Sequence, residues 1–277
     1  AAESLHLTQP AVSKRIASLE DQLNVRLFDR INRRVSLTES GRALLPRAQL
    51  ILKEVNDARR ALRDMTGEVG GPLKMATSHH VGLHRMPPVL KSFAKDYPEV
   101  SPDIAFMDSE KAYEDVLGGR QELAVVTLAP SQNHNLNTHI LWRDDLVFVV
   151  GAEHPLATIG ELNIEAMSEW PAILPGDVTY TGRIVKHLFE SKDVPLHVAM
   201  STNYLETIKM LVSVGMGWSV LPKTMCEDLV QFELTDVNIS RNLGVIWHKS
   251  RTLSNAANAF ITSLNNHRDT NYPSITL

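Results

Sequence analysis

The amino-acid sequence predicts an α/β body preceded by a small winged helix-turn-helix and a long coiled-coil helix. Three observations carry that expectation. From Leu73 onward, apolar runs of strand length alternate with amphipathic helical stretches. Between Leu44 and Met65, apolar residues repeat at heptad spacing. Residues 8–23 read as one helix whose two faces differ in chemistry.

Composition bounds the alternatives. A chain of 277 residues holds a small domain and a larger one, and 43% hydrophobic residues is ordinary for a globular protein. No apolar run approaches membrane length, since Leu146 to Val150 is only strand-sized, and no secretory leader is expected. Cys226 is the single cysteine, which excludes an intrachain disulfide and fits a reducing cytoplasm. The net charge of −4 is unevenly spread. Residues 1–66 hold 12 Lys and Arg against 8 Asp and Glu, and the remainder holds 16 against 24. A basic head of +4 on an acidic body of −8 implies that only the head meets a polyanion.

In the head helix, Thr8 stands at the N-cap and Pro10 sits where a missing N–H costs nothing. Val12, Ile16, Leu19 and Leu23 make one stripe; Gln9, Ser13, Lys14 and the small Ala17 make the other. Amides and hydroxyls suit base edges, and a cation suits phosphate, so this second stripe reads as a DNA-reading surface. A plain amphipathic surface helix is the competing reading, and the flanks weigh against it. Ala1 to Leu5 ends another helix, and His6, Leu7 and Thr8 form the tight turn of a helix-turn-helix. Downstream, Val25 to Phe28 and Arg34 to Leu37 flank Asn32-Arg33 as a hairpin, with Val35 and Leu37 expected inward. Its Arg30, Arg33 and Arg34 would reach phosphates or a minor groove.

Residues Ala1 to Lys14, Leu27-Phe28-Asp29-Arg30 and Leu37-Thr38-Glu39-Ser40-Gly41 resemble the winged helix-turn-helix of the LysR-type transcriptional regulators nearly position for position. The resemblance extends over essentially the whole chain. Lys14 stands where that family often carries Arg, a point charge in place of a fork of donors. The family also has one more helix before Ala1, so the winged domain is expected to lack its first helix. The resemblance implies that Gln9, Pro10, Ser13 and Lys14 of the helix and Arg30, Arg33 and Arg34 of the wing contact double-stranded DNA at an imperfect palindrome.

Thr38 and Glu39 open a long helix running to Gly67. Along it Leu44, Ala48, Ile51, Val55, Ala58, Leu62 and Met65 form three heptads, the seam of a coiled coil, with Pro46 near its start. Packing on the chain's own body is the alternative, but a solitary helix of roughly 40 Å would overhang a small domain. The resemblance points to a homodimer through this helix and to a homotetramer beyond it. Glu68-Val69-Gly70-Gly71-Pro72 then forms a hinge. The expected divisions are residues 1–38, 39–71 and 72–277.

In the body, strands are expected at Leu73 to Ala76, Ile104 to Met107, Leu123 to Val126, Ala172 to Leu174, Val198 to Met200, Ser219 to Leu221 and Leu243 to Trp247, in a largely parallel sheet. Helices fall between them. This half resembles the family's effector-binding domain, itself similar to periplasmic solute-binding proteins. That implies two α/β lobes, residues 72–143 plus 250–277 and residues 144–249, joined by strands crossing near Arg143 to Val147 and Trp247 to Arg251. Ligands of open α/β sheets bind at strand carboxyl ends, which places a small-molecule effector between the lobes.

Thr77, Ser78, His79 and His80 follow the first strand and precede a helix, an arrangement that favours an anion. Thr127 ends another strand, and Ser201-Thr202-Asn203 repeats the pattern in the second lobe. The plainer reading of these hydroxyls is helix capping. Pro175-Gly176 and Tyr180-Thr181 lie on a loop that could edge the cleft. His79, His80 and His84 invite a metal reading, but residues 73–95 hold no Cys, Asp or Glu to complete a ligand set, so neither metal nor cofactor is expected. No GxSxG, P-loop, GxGxxG or HExxH is present, so an α/β enzyme is disfavoured; a transport-type solute-binding protein would fit the body alone but not the head and coiled coil.

Overall fold

The computed structural model describes residues 8–31, 34–64, 67–159, 162–232, 234 and 237–275. It divides into two units, Ala1–Met65 and Thr66–Leu277.

In the first unit, helix α1 (Gln9–Leu23) starts at Thr8 in extended conformation, but the Thr8 hydroxyl accepts no capping bond. Asn24 ends the helix in the left-handed region. The wing strands β1 (Phe28–Ile31) and β2 (Arg34–Leu37) pair antiparallel. Glu20 Oε1 accepts from the N–H groups of Leu27 and Phe28 at 2.6 and 3.1 Å, fixing the turn into the wing. The wing does not turn Val35 inward: that side chain is 66% exposed. Residues 1–7, the turn and preceding helix of the expected motif, and Asn32-Arg33 at the wing tip lie outside the described residues.

Helix α2 (Glu39–Asp64) is capped by Thr38, whose hydroxyl accepts from Gly41 N–H at 3.0 Å and donates to the Arg26 carbonyl at 2.6 Å. Gly41 has no substitute here, because a Cβ would lie 2.2 Å from the Leu27 carbonyl oxygen. Pro46 sits inside the helix. On the heptad seam Ile51 is 63% and Val55 44% exposed.

The second unit opens with β3 (Gly71–Thr77), which pairs parallel with both β4 (Val100–Phe106) and β5 (Leu123–Thr127). Between them run α3 (His79–His84), α4 (Met86–Asp96) and α5 (Ser109–Leu117). Within this sheet the parallel pairing is confined to this edge. The 15-residue β6 (Leu136–Val150) and the 10-residue β11 (Ile239–His248) are antiparallel to each other, and β11 is antiparallel to β5. These two strands are the crossings between lobes. Beyond them β9 (Ser219–Pro222) and β10 (Val230–Phe232) pair with the far end of β6, while β7 (Ala172–Leu174) and β8 (Val198–Ser201) form a parallel pair. Helices α6 (Ile164–Ser168), α7 (Tyr180–Ser191) and α8 (Leu205–Ser213) belong to this second lobe, and α9 (Asn255–Asn266) returns to the first.

The second crossing lies at Ile239 to Leu243, earlier than expected, with a bulge between Leu243 and Gly244. Leu243 to Trp247 already pair with β5, so residues 243–249, assigned from sequence to the second lobe, adjoin the first lobe's sheet. The polar Ser240, Arg241 and Asn242 hide the strand's true start from an apolar-run reading.

Each lobe covers both faces of its sheet. Leu73, Phe93, Trp142 and Phe260 pack on one face of the first, Ala76, Tyr113, Val126 and Ile246 on the other. In the second lobe Phe148, Phe189 and Trp218 lie on one side, Val149, Ile208 and Leu221 on the other. Trp218 stacks on Phe189 with ring centroids 5.5 Å apart, a core role.

Candidate functional site

The carboxyl ends of β3 and β5, the N-termini of α5, α7 and α8, and the two crossing strands enclose a narrow cavity of about 50 Å³, room for a few waters. At its base lies a buried network built by strand register. Asp144 of β6 faces Arg241 of β11 as a cross-strand pair, and both point inward while Arg143 and Asp145 point out. Asp144 Oδ2 accepts from Arg241 Nη2 at 3.0 Å and from His80 Nε2 at 2.9 Å; Oδ1 accepts from Arg85 at 3.0 Å. Arg241 Nη1 also donates to the Thr181 hydroxyl at 2.8 Å. One carboxylate thus ties α3, both crossings and, through Arg241, the N-terminus of α7.

Burial by itself would raise the Asp144 carboxyl, but the His80 hydrogen bond and the Arg241 charge reverse this and hold it well below the usual carboxylate range. For His80 burial wins over its bond to Asp144 and lowers the imidazole, favouring the neutral ring. Burial likewise lowers Arg241 against the pull of Asp144.

The lobes also touch across the cavity mouth. Tyr180 N–H, at the start of α7, donates to Glu110 Oε1 at 2.6 Å, and Asn203 Nδ2 donates to Asp108 Oδ2 at 2.8 Å. His84 Nε2 lies 2.9 Å from Glu206 Oε1, and the His79 ring meets Tyr204 edge-on at 4.7 Å. Gly182 lets α7 approach the Pro175-Gly176 loop, where a Cβ would lie 2.2 Å from the Gly176 carbonyl oxygen. Two carboxylates of the first lobe therefore occupy an N–H and an amide of the second, donors suited to an anionic ligand.

The family models decide what this arrangement belongs to. The LysR substrate binding domain matches residues 66–269, and the bacterial regulatory helix-turn-helix protein, lysR family, matches residues 1–42.

The chain belongs to the LysR family of bacterial transcriptional regulators.

Over 93% of this LysR-type chain and 88% of the relative, it is 30% identical to the HTH-type transcriptional regulator YeiE of Escherichia coli (strain K12). A stretch of 88 residues, 32% of the chain, is 68% identical to an HTH-type transcriptional regulator of the ibpB-leuC intergenic region of Azotobacter vinelandii, spanning 61% of that relative. The fold is similar to the effector binding domain of QuiR in complex with shikimate, with a TM-score of 0.64 and 18% identity over 70% of this chain and 95% of that one. The two-lobed α/β expectation and the helix-turn-helix expectation hold for this LysR regulator.

Of the residues singled out from sequence, Ser78, His79, His80, Thr127 and Asn203 line the cavity. Ser78 stands at the N-cap of α3 yet makes no capping bond, and its buried hydroxyl has no partner among the described residues. Thr77 does not line the cavity. It is buried, and its hydroxyl donates to the Val125 carbonyl at 2.9 Å, so it fastens β3 to β5. Ser201 and Thr202 also fall outside the lining; Ser201 is exposed, and Thr202 turns its hydroxyl toward Tyr204 N–H at 3.5 Å. The second-lobe contribution comes instead from Asn203, Tyr180, Thr181 and Arg241.

Tyr180 and Thr181 were legible as cleft-edge candidates; Arg241, Asp108 and Glu110 were not. The signal for Arg241 and Asp144 is a charge inside a strand-length segment at matching register, which only the pairing reveals. Gln9, Pro10 and Lys14 are exposed on α1, and Ser13 is half-buried. Arg30 and Arg34 occupy β1 and β2, and Arg33 lies outside the described residues. Cys226 is buried, its thiol donates to the Pro222 carbonyl, and burial pushes it up to about 11, which leaves little thiolate to react.

Proposed function

We propose that this LysR-type regulator binds DNA as a homodimer through paired winged heads and is switched by a small anionic effector in the cavity between its lobes. The observation that carries the effector reading is the Ser78 hydroxyl, buried at the cavity without a hydrogen-bond partner among the described residues. A buried hydroxyl left unmade is costly, so a ligand that bonds it gains what the free protein lacks. The anionic character is supported by Arg241 and by Tyr180 N–H and the Asn203 amide, donors that Glu110 and Asp108 hold in this closed arrangement. An effector carboxylate competing for those donors changes the lobe-to-lobe contacts, which gives it the differential affinity a switch requires. Shikimate, which the similar QuiR domain holds, is a small carboxylate of this class.

A regulatory rather than catalytic role is supported by the family and by the site's chemistry: Asp144 and Arg241 are locked in ion pairs, not held for proton transfer. Assembly into dimers is supported by the exposed seam of α2, and tetramers beyond them rest on the family resemblance alone. Among the described residues no helix is long and apolar enough to cross a membrane, in keeping with a cytoplasmic regulator.

Ser78→Ala should weaken effector binding by roughly tenfold or more, the value of a hydrogen bond to a charged ligand, while Thr77→Val should leave affinity unchanged because its hydroxyl serves Val125. Calorimetric titration of the full chain with shikimate-like carboxylates that raise its melting temperature measures both. Equal affinity in wild type and Ser78→Ala sinks the site assignment. On the DNA side, Gln9→Ala should cost about 1 to 3 kcal/mol on the cognate site and relax base preference, whereas Lys14→Ala should weaken cognate and scrambled duplexes alike and flatten the salt slope. Unchanged sequence preference in Gln9→Ala removes that residue from base reading.

A further inference from the structure

The sequence offers His79, His80 and His84 as metal ligands and no Cys, Asp or Glu within residues 73–95 to complete the set. The fold supplies one from 122 positions away: Glu206, on α8 of the second lobe, meets His84 at 2.9 Å. One ring nitrogen from each histidine and one Glu206 oxygen lie within 4.8 Å of one another. Three ligands at about 2.1 Å from one tetrahedral ion would be about 3.4 Å apart, so the exposed ends of His84 and Glu206 need to move toward His80 by roughly 1.5 Å at most.

The tautomer of His80 strengthens the case. Asp144, held between Arg85 and Arg241, is a carboxylate and can only accept, so the 2.9 Å contact requires His80 Nε2 to carry the proton. That leaves Nδ1 with a bare lone pair, and Nδ1 is buried with no hydrogen-bond partner among the described residues. A carboxylate holding one imidazole nitrogen while the other stands free is how proteins orient and strengthen a metal-bound histidine.

We propose that His80, His84 and Glu206 form a site for a zinc-class divalent cation that bridges the two lobes at the mouth of the effector cavity. Two imidazoles and one carboxylate suit a borderline transition metal rather than magnesium, which prefers oxygen donors and keeps its waters. Three protein ligands leave a fourth position for water or for an oxygen of the effector. Because His80 and His84 belong to the first lobe and Glu206 to the second, the ion binds the closed arrangement better than an open one and biases the lobes toward it. Zinc binding stands apart from the effector proposal and is read without effector or DNA.

The test uses the full chain stripped with chelator and titrated with zinc chloride, with magnesium chloride as the control, by calorimetry and by thermal shift. His84→Asn and Glu206→Gln suit the purpose because both side chains are 40% exposed and their loss spares the core. The expected result is one zinc per chain, a raised melting temperature, and affinity at least tenfold lower in either variant. His187→Asn, an exposed histidine outside the cluster, should titrate as wild type. The proposal is overturned if zinc fails to bind at micromolar concentration. It is equally overturned if both variants bind zinc as wild type does, because the ion then rides on other histidines and the His84–Glu206 contact is only a latch between lobes.

Discussion

Replacing Ile51 and Val55 together by Asp is expected to leave the individual chain folded but to lower its affinity for a palindromic site by a hundredfold or more. Within the chain these side chains are 63% and 44% exposed, so the substitution disturbs no intrachain core. Paired across two chains they would place four carboxylates in one apolar seam, where unpaired buried charge costs several kcal/mol per group. The dimer should separate at the concentrations used for DNA binding. Each head alone then holds one half-site, and the gain from tethering two heads, worth about 10²- to 10⁴-fold, disappears. Light scattering should report a loss of mass and a mobility-shift titration the loss of affinity. A mass and affinity like those of the parent would show that the seam joins no second chain. The conservative pair Ile51→Leu with Val55→Ile keeps the seam apolar and should behave as the parent does.

The elements that sequence alone located are the amphipathic helices and the strands that read as short apolar runs, buried on both faces. The helix over Met86 to Asp96 shows its spacing plainly, with Met86, Val89 and Phe93 buried, and Pro98 marks its end. β6 shows the opposite case. Only its last five residues read as a strand, because Arg143, Asp144 and Asp145 interrupt the pattern where the chain passes between lobes. A strand that runs from one lobe into the other has no single buried face along its length, so its period-2 signal changes midway. The site divides in the same way. Ser78, His80 and Asn203 follow strand ends, where that rule looks, and line the cavity, whereas Arg241 in the lining and Glu206 beside His84 sit in local sequence that carries no chemical signature. Their partners, Asp144 and the His80/His84 pair, are about a hundred residues away or more, and only the register of β11 against β6 and the closure of the lobes bring them together. Thr77 also stands at a strand end, and there its hydroxyl donates to the Val125 carbonyl and joins β3 to β5.

Arg241→Met tests whether the buried network at the crossing is a single unit. The guanidinium is 5% and the Asp144 carboxylate 1% exposed, so neither is screened by solvent. Methionine fills much of the volume of the arginine stem, and what is lost is charge and three donors: two to Asp144 and one to Thr181. Removing one partner of a buried ion pair costs about 3 to 5 kcal/mol, because the other charge is left without compensation. Arg85 and His80 still hold Asp144, which argues for the lower end of that range. The main calorimetric transition of the full chain should fall by roughly 10 °C, taking about 2 to 4 °C per kcal/mol for a unit of this size. Adding Asp144→Asn neutralises the stranded carboxylate, so the double variant should cost clearly less than the two single variants together, a coupling of about 2 kcal/mol. Additive costs would mean that the two side chains do not depend on one another. A loss below about 1 kcal/mol for Arg241→Met would show that water reaches the crossing, and that the tie between α3, the two crossing strands and α7 is not what holds the lobes closed.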